Sequence, residues 1–148
     1  MPKQVKRASK IEVSVVKDSS MPVFQANTPS EVAGLPRIKK LSNCDREQFI
    51  CLHLNARNEV IGYEVIAIGT LAVTIVVPRE VFKSAILTNA HAIIAVHNHP
   101  SGALDPSAED IRLTKDLQLS GKLLGIHLHE HIIVSPKGYF SFKNQQLL

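Results

Sequence analysis

Residues 92–100, Ala92-Ile93-Ile94-Ala95-Val96-His97-Asn98-His99-Pro100, set five unbroken apolar residues directly before two histidines. A run that short, without alternation, predicts a central strand buried on both faces. The strand delivers His97 at its end. A loop rich in proline and glycine comes next, Pro100-Ser101-Gly102-Ala103-Leu104-Asp105-Pro106, and turns the chain back. Ser107 then stands three residues before Asp110, the spacing of a helix N-cap and its N3 acid. A helix is expected from Ser107 to about Ser120, with Gly121 as its stop.

Upstream, Phe49, Cys51, His53 and Asn55 alternate with Ile50, Leu52 and Leu54, which predicts a strand. Ala56-Arg57-Asn58-Glu59 reads as a turn, and Val60 to Ile68 as the second arm of a hairpin. Gly69-Thr70 breaks that arm, and the β-branched run Leu71 to Val77 predicts a third strand. Pro78-Arg79-Glu80 opens a helix with proline in its first turn. Val81, Phe82, Ala85, Ile86 and Ala90 supply its apolar stripe. Downstream, Ile126 to Ser135 and Tyr139 to Phe142 read as strands. Strands, helix, strand, helix, strands is the order of a mixed α/β domain, a mixed sheet flanked by helices.

Residues 1–40 differ in composition from the rest of the chain. Pro22, Pro29, Pro36 and several serines predict an extended, partly flexible arm with one strand at Ile11 to Val16 and a short helical turn at Ser30 to Ala33. The folded body is expected at 41–148. At 148 residues, with 45% hydrophobic and 20% charged residues, the chain has the composition of an ordinary globular protein with a real core. No apolar run approaches the roughly 20 residues needed to span a bilayer, so no membrane partner is expected. The basic start, with Lys3, Lys6, Arg7 and Lys10, lacks the apolar stretch of a secretory signal, which makes the cytoplasm the expected location. These residues carry much of the net charge of +4 and read as a solvated tail; contact with nucleic acid is only weakly supported. Two cysteines make neither a zinc-binding quartet nor a disulfide framework, and Cys51 reads as a small core residue.

Five of the seven histidines fall between His97 and His131. In extended backbone, residues two apart point to one side, so His97 and His99 can face one point. If Ser107 is the cap, Asp110 lies in the helix's first turn and can join them. Taken singly, a histidine at a strand end is ordinarily structural and a Ser-x-x-Asp pair is ordinarily a cap. Together they make two imidazoles and a carboxylate with a fourth position open, the ligand count of a catalytic zinc. His127, His129 and His131 alternate and so are expected on one strand face. The reading preferred for them has His131 packing or bonding near the first site, with the other two half-exposed, rather than a second metal. The contiguous His-Asn-His does not fit nucleases that disperse those residues over a ββα unit. A cytidine deaminase would need His-x-Glu and Pro-Cys-x-x-Cys, and neither is here.

His97-x-His99-Pro100, seven residues, then Ser107-x-x-Asp110 resembles the signature of JAMM (MPN-plus) metallopeptidases. His97-Asn98-His99-Pro100-Ser101-Gly102 with Pro106-Ser107 resembles their RadC branch. So do Gly69-Thr70-Leu71, Pro78-Arg79-Glu80-Val81-Phe82, Asn89-Ala90-His91-Ala92 and His131-Ile132-Ile133-Val134. The likeness covers roughly residues 40–142, with Glu130 standing where the branch usually has Asp. It implies a sheet flanked by helices of the type shared with cytidine deaminases. It also implies Zn2+ on His97, His99 and Asp110, Ser107 as oxyanion stabiliser, and an upstream glutamate as general base. Glu47, just before the first apolar strand, fits that base; Glu80 and Glu64 are its rivals. The implied activity is hydrolysis of a protein or peptide substrate. The alternative is a DNA-repair-associated or protein-binding module with a structural or vestigial metal. Longer members carry an amino-terminal region like a helix-hairpin-helix, and this chain resembles the short form without it. Oligomeric state is open.

Overall fold

The computed structural model describes residues 10, 12, 22–69 and 76–148. Apart from Glu12, which is irregular, the strand expected at Ile11 to Val16 lies outside them, as do residues 71–75 of the one expected at Leu71 to Val77; Val76 and Val77 are irregular.

The strands are β1 (Phe24–Gln25), β2 (Gln48–Leu54), β3 (Glu59–Ile68), β4 (Ala92–Asn98), β5 (His127–Ser135) and β6 (Gly138–Ser141). They form one sheet in the order β1-β3-β2-β4-β5-β6. The β4–β5 pair is parallel and the others are antiparallel. The helices are α1 (Pro29–Gly34), α2 (Pro36–Ser42), α3 (Pro78–Leu87) and α4 (Ala108–Leu124). Every residue of β4 is buried. The apolar run at 92–96 is thus the centre of the molecule, as its composition demands.

The two faces of β2 and β4 feed two cores. Ile50, Leu52, Leu54, Ile94 and Val96 pack with Ile132 and Val134 against Val32, Ile38 and Leu41 of α1 and α2. Phe49, Cys51, Ile93 and Ala95 pack against Val81, Phe82 and Ala85 of α3 and Leu117 of α4. The structure is therefore the mixed α/β layer arrangement expected, a sheet with helices on both faces.

Four local expectations need correction. The short helical turn expected at Ser30 to Ala33 is present as α1, but the arm expected up to residue 40 is not extended beyond it: α2 follows at once, and the apolar residues of both helices reach the core. Their prolines sit at helix starts, where a missing N–H costs nothing. Thr28 and Glu31 close a reciprocal capping box on α1. Gly121 does not stop α4, which ends at Gly125 in the left-handed conformation, φ 72°. Gly121 is instead a point of close approach: a Cβ there would lie 2.3 Å from the Ile126 carbonyl oxygen. Ile86 is exposed, because the buried stripe of α3 is only Val81, Phe82 and Ala85. Finally, β5 bulges against β4: Ile93 pairs with Leu128, but Ile94 pairs with Glu130. The extra residue, His129, breaks the alternation. His127, His129 and His131 therefore do not share one face; His127 is exposed, His129 half-buried and His131 fully buried.

Candidate metal centre

The parallel pair β4–β5 and helix α4 bring the carboxyl end of one strand to the amino end of one helix, where open α/β sheets gather ligands. His97 is the penultimate residue of β4, opposite Phe49 of β2 and Ile133 of β5. His99 lies just past the strand and is tied to β5 by its N–H, which donates to the Val134 carbonyl at 3.1 Å. Asp110 is fixed by the cap of α4. Its N–H donates to Ser107 Oγ at 3.0 Å, and Ser107 N–H donates to Asp110 Oδ2 at 2.9 Å.

These three side chains converge. His97 Nε2 lies 3.2 Å from His99 Nε2 and 3.2 Å from Asp110 Oδ1, and His99 Nε2 lies 3.4 Å from Asp110 Oδ2. Glu47 Oε1 stands 3.8 Å from His99 Nε2. One ligand atom each from Glu47, His97 and His99 lies within 4.8 Å of the others. Asp110 approaches the imidazoles more closely than Glu47 does and is held by the helix start, so it is the better third ligand of the two carboxylates.

The direction of the surrounding hydrogen bonds decides what this cluster can accept. Thr114 Oγ1 donates its one proton to the Asp110 carbonyl at 2.7 Å. It must therefore accept from His131 Nδ1, 2.7 Å away. His131 Nε2 is then a bare acceptor and takes the proton of His97 Nδ1 at 2.9 Å. That leaves the Nε2 of His97 as a lone pair. His99 Nδ1 faces the Ala103 carbonyl at 3.0 Å, which only accepts, so His99 Nε2 is a lone pair as well. With both imidazoles neutral, two lone pairs and a carboxylate thus face one another with no donor among them, an arrangement that a cation satisfies. The spacing fits zinc: a tetrahedron of bonds of ~2.0–2.1 Å has edges of ~3.3 Å. Each imidazole also has its other nitrogen held by an acceptor, the usual outer support of a metal-binding histidine.

Without a cation, a proton on His99 can take its place beside Asp110. Burial opposes ionisation of Asp110, but the contacts from His97 and His99, with the Ser107 amide, hold its carboxyl well below the ordinary carboxylate range. The bond to Asp110, against some desolvation, holds His99 above the ordinary histidine value. Burial, with His97 beside it, pushes His131 well below that value and keeps it neutral.

The site opens into a cleft of about 920 Å³, lined among others by Glu47, His99, Ser107, Asp110, Arg112 and Asp116. Ser107 Oγ uses a lone pair for the Asp110 amide, so its hydroxyl proton remains to be donated. Of the rival glutamates, Glu80 pairs with Lys83 at 3.1 Å and Arg79 at 3.5 Å on the exposed face of α3. Glu64, read from the sequence as a solvent-facing strand residue, is half-buried; its Oε2 is buried with no hydrogen-bond partner among the described residues, and it pairs in register with Cys51. Neither lines the cleft.

Thr114 escaped the sequence reading, although a polar residue four positions after Asp110 on the buried side of α4 was the available signal. Asn98, wholly buried between the two histidines, escaped it too.

A family model described as RadC-like JAB domain matches residues 26–147. A UPF0758 protein of Rubrobacter xylanophilus is 42% identical over 136 residues, covering 92% of this chain and 58% of the relative. One from Staphylococcus carnosus is 52% identical over 104 residues, 70% of this chain and 46% of the relative. One from Methanosarcina acetivorans is 45% identical over 120 residues, 80% of this chain and 51% of the relative. The chain spans about half the length of the curated relatives it matches. Among the described residues, no helix is long and apolar enough to cross a membrane.

Proposed function

We propose that this chain, which belongs to the RadC-like JAB domain family, is a zinc-dependent hydrolase of amide bonds, a peptidase or isopeptidase. The observation that carries this reading is the convergence of His97 Nε2, His99 Nε2 and the Asp110 carboxylate, of which His99 and Asp110 line an open cleft. Zinc bound by these three groups would polarise a carbonyl oxygen and lower the pKa of a water at its open position.

The chain's own residues supply the remaining chemistry. Glu47, at the cleft and 3.8 Å from His99 Nε2, takes a proton from the attacking water and returns it to the leaving amine nitrogen. Ser107 donates its hydroxyl proton to the oxyanion that forms on the former carbonyl. Its position is set by the cap it makes on Asp110, so it is held without help from substrate. The wall of the cleft supports a peptide over a phosphodiester. Asp105, Glu109 and Asp116 stand there against Arg112, a balance that repels a phosphate backbone.

The test combines metal analysis with a broad peptide and isopeptide cleavage screen. His99→Ala and Asp110→Ala are expected to lose zinc while retaining a cooperative melt; stoichiometric zinc in both overturns the ligand assignment. Glu47→Gln is expected to keep one zinc per chain and lose cleavage. Undiminished cleavage removes Glu47 from the mechanism, and loss of the zinc makes it a fourth ligand, as a structural site would require.

A further inference from the structure

Asn98 lies between the two candidate ligands in sequence but faces the other side of the sheet, as its neighbours Ile94 and Val96 do. It is fully buried. Its side chain spends its bonds on one backbone segment. Oδ1 accepts from the Gln48 N–H at 2.7 Å, and Nδ2 donates to the Arg46 carbonyl at 3.0 Å and the Cys44 carbonyl at 3.3 Å. Those three backbone groups bracket Glu47. No regular ladder holds residues 44–47, which precede β2. Beyond the Asn98 amide, the Glu47 backbone gains a further anchor, its carbonyl accepting from Gly69 N–H at 2.8 Å.

We propose that Asn98 is the positioning residue that registers Glu47 against the His97–His99 pair. The inference rests on the reading of that pair as a zinc site. The strand that ends in the ligands also carries, on its reverse face, the clamp for the carboxylate that works beside them. The arrangement needs an amide: a side chain with both an acceptor and two donors, at a length that spans two strands. Aspartate would set an acceptor against two carbonyls, and leucine would take the Asn98 partner away from all three backbone groups.

The test is a double-mutant cycle on zinc affinity, measured by competition with a chromophoric chelator in the full chain. A carboxylate held beside a metal site strengthens binding, so Glu47→Gln is expected to weaken zinc roughly 10-fold. Asn98→Ala, which frees Glu47 to swing away, is expected to weaken it by a similar factor. The double variant is expected to be no weaker than either single one. Amide hydrogen exchange of Gln48 is expected to accelerate in Asn98→Ala and not in Glu47→Gln. Leu52→Ala, a core deletion in the neighbouring strand, is expected to lower the melting temperature without changing zinc affinity, which separates positioning from general loosening. If Asn98→Ala does not fold, Asn98→Ser, whose hydroxyl is too short to reach the segment, takes its place. Effects that multiply in the double variant, or zinc affinity unchanged on losing Asn98, overturn the proposal. Because the readout is metal affinity, a chain that completes the cycle yet cleaves no peptide refutes the peptidase and leaves the clamp standing.

Discussion

His131 Nε2 takes the Nδ1 proton of His97 across 2.9 Å in a fully buried environment, with its ring stacked on Phe142 at a centroid distance of 4.3 Å. This contact fixes which nitrogen of His97 carries a lone pair toward His99 and Asp110. His131→Phe retains a flat ring but leaves the His97 N–H unpaired. Zinc affinity is expected to fall about 10- to 100-fold, with Thr114→Val, one bond further out, costing less. Chelator competition measures both; unchanged affinity in His131→Phe would show that the tautomer is set elsewhere.

The tight seam between α4 and β5 predicts opposite outcomes for two glycines. In Gly121→Ala the new Cβ meets the Ile126 carbonyl at 2.3 Å and Phe82 Cζ at 3.2 Å, and backbone cannot yield cheaply. A loss of about 1–3 kcal/mol is expected despite alanine's better helix propensity. Gly34→Ala, with nothing within 4 Å of the added methyl, is expected to be neutral or to gain up to ~1 kcal/mol. Urea denaturation of both decides; a neutral Gly121→Ala would mean that the seam relaxes.

The two cysteines are expected to behave differently toward a thiol reagent. Cys51 is fully buried, and burial, with Glu64 opposite, pushes its thiol far above the ordinary range. Cys44 is only half-buried. Ellman's reagent should titrate one thiol in the native chain and two after unfolding. Rapid modification of Cys51 in the native state would contradict its place in the core.

His53 gives stability a pH dependence of defined sign. Burial lowers its pKa, partly offset by Glu64, while its ring nitrogens meet Ser84 Oγ at 3.0 Å and Thr88 Oγ1 at 3.2 Å. The unfolded chain then binds the proton more readily than the folded one. The contribution is fully present above the unfolded value of about 6.5 and is lost as pH falls below it. Wild type is expected to lose more stability between pH 7.5 and 5.5 than His53→Gln does. The difference between them cancels what other histidines contribute, and equal losses by urea denaturation would refute the assignment.

Much of this molecule was legible because its signals are local. The unbroken run Ala92 to Val96 could only be a covered strand, and Ser107 with Asp110 announced both the helix start and a carboxylate in its first turn. What stayed hidden depends on neighbours distant in sequence. Gly121 looked like a stop because the Ile126 carbonyl that forbids a side chain there arrives only after the chain has turned. The three alternating histidines looked like one face because a bulge is a property of two strands, not of one. Pro29 and Pro36 looked like an extended arm because proline opens a short helix as readily as it breaks one. Asn98 lay in plain view between two histidines, yet its partners sit some 50 positions upstream.

Both ends of the segment between the histidines and the helix have anchors outside it, His99 on β5 through Val134 and Asp110 on α4 through Ser107, and one link runs back to its middle, the Ala103 carbonyl on His99 Nδ1. Pro100, Ser101, Ala103 and Asp105 meanwhile form part of the cleft wall. The ligand frame and the side chains of the cleft wall thus meet at a single backbone group, the Ala103 carbonyl. Side-chain substitution at Pro100, Ser101 or Asp105 is therefore expected to reshape the cleft wall while the Ala103 carbonyl, the Val134 contact and the Ser107 cap go on holding the candidate ligands.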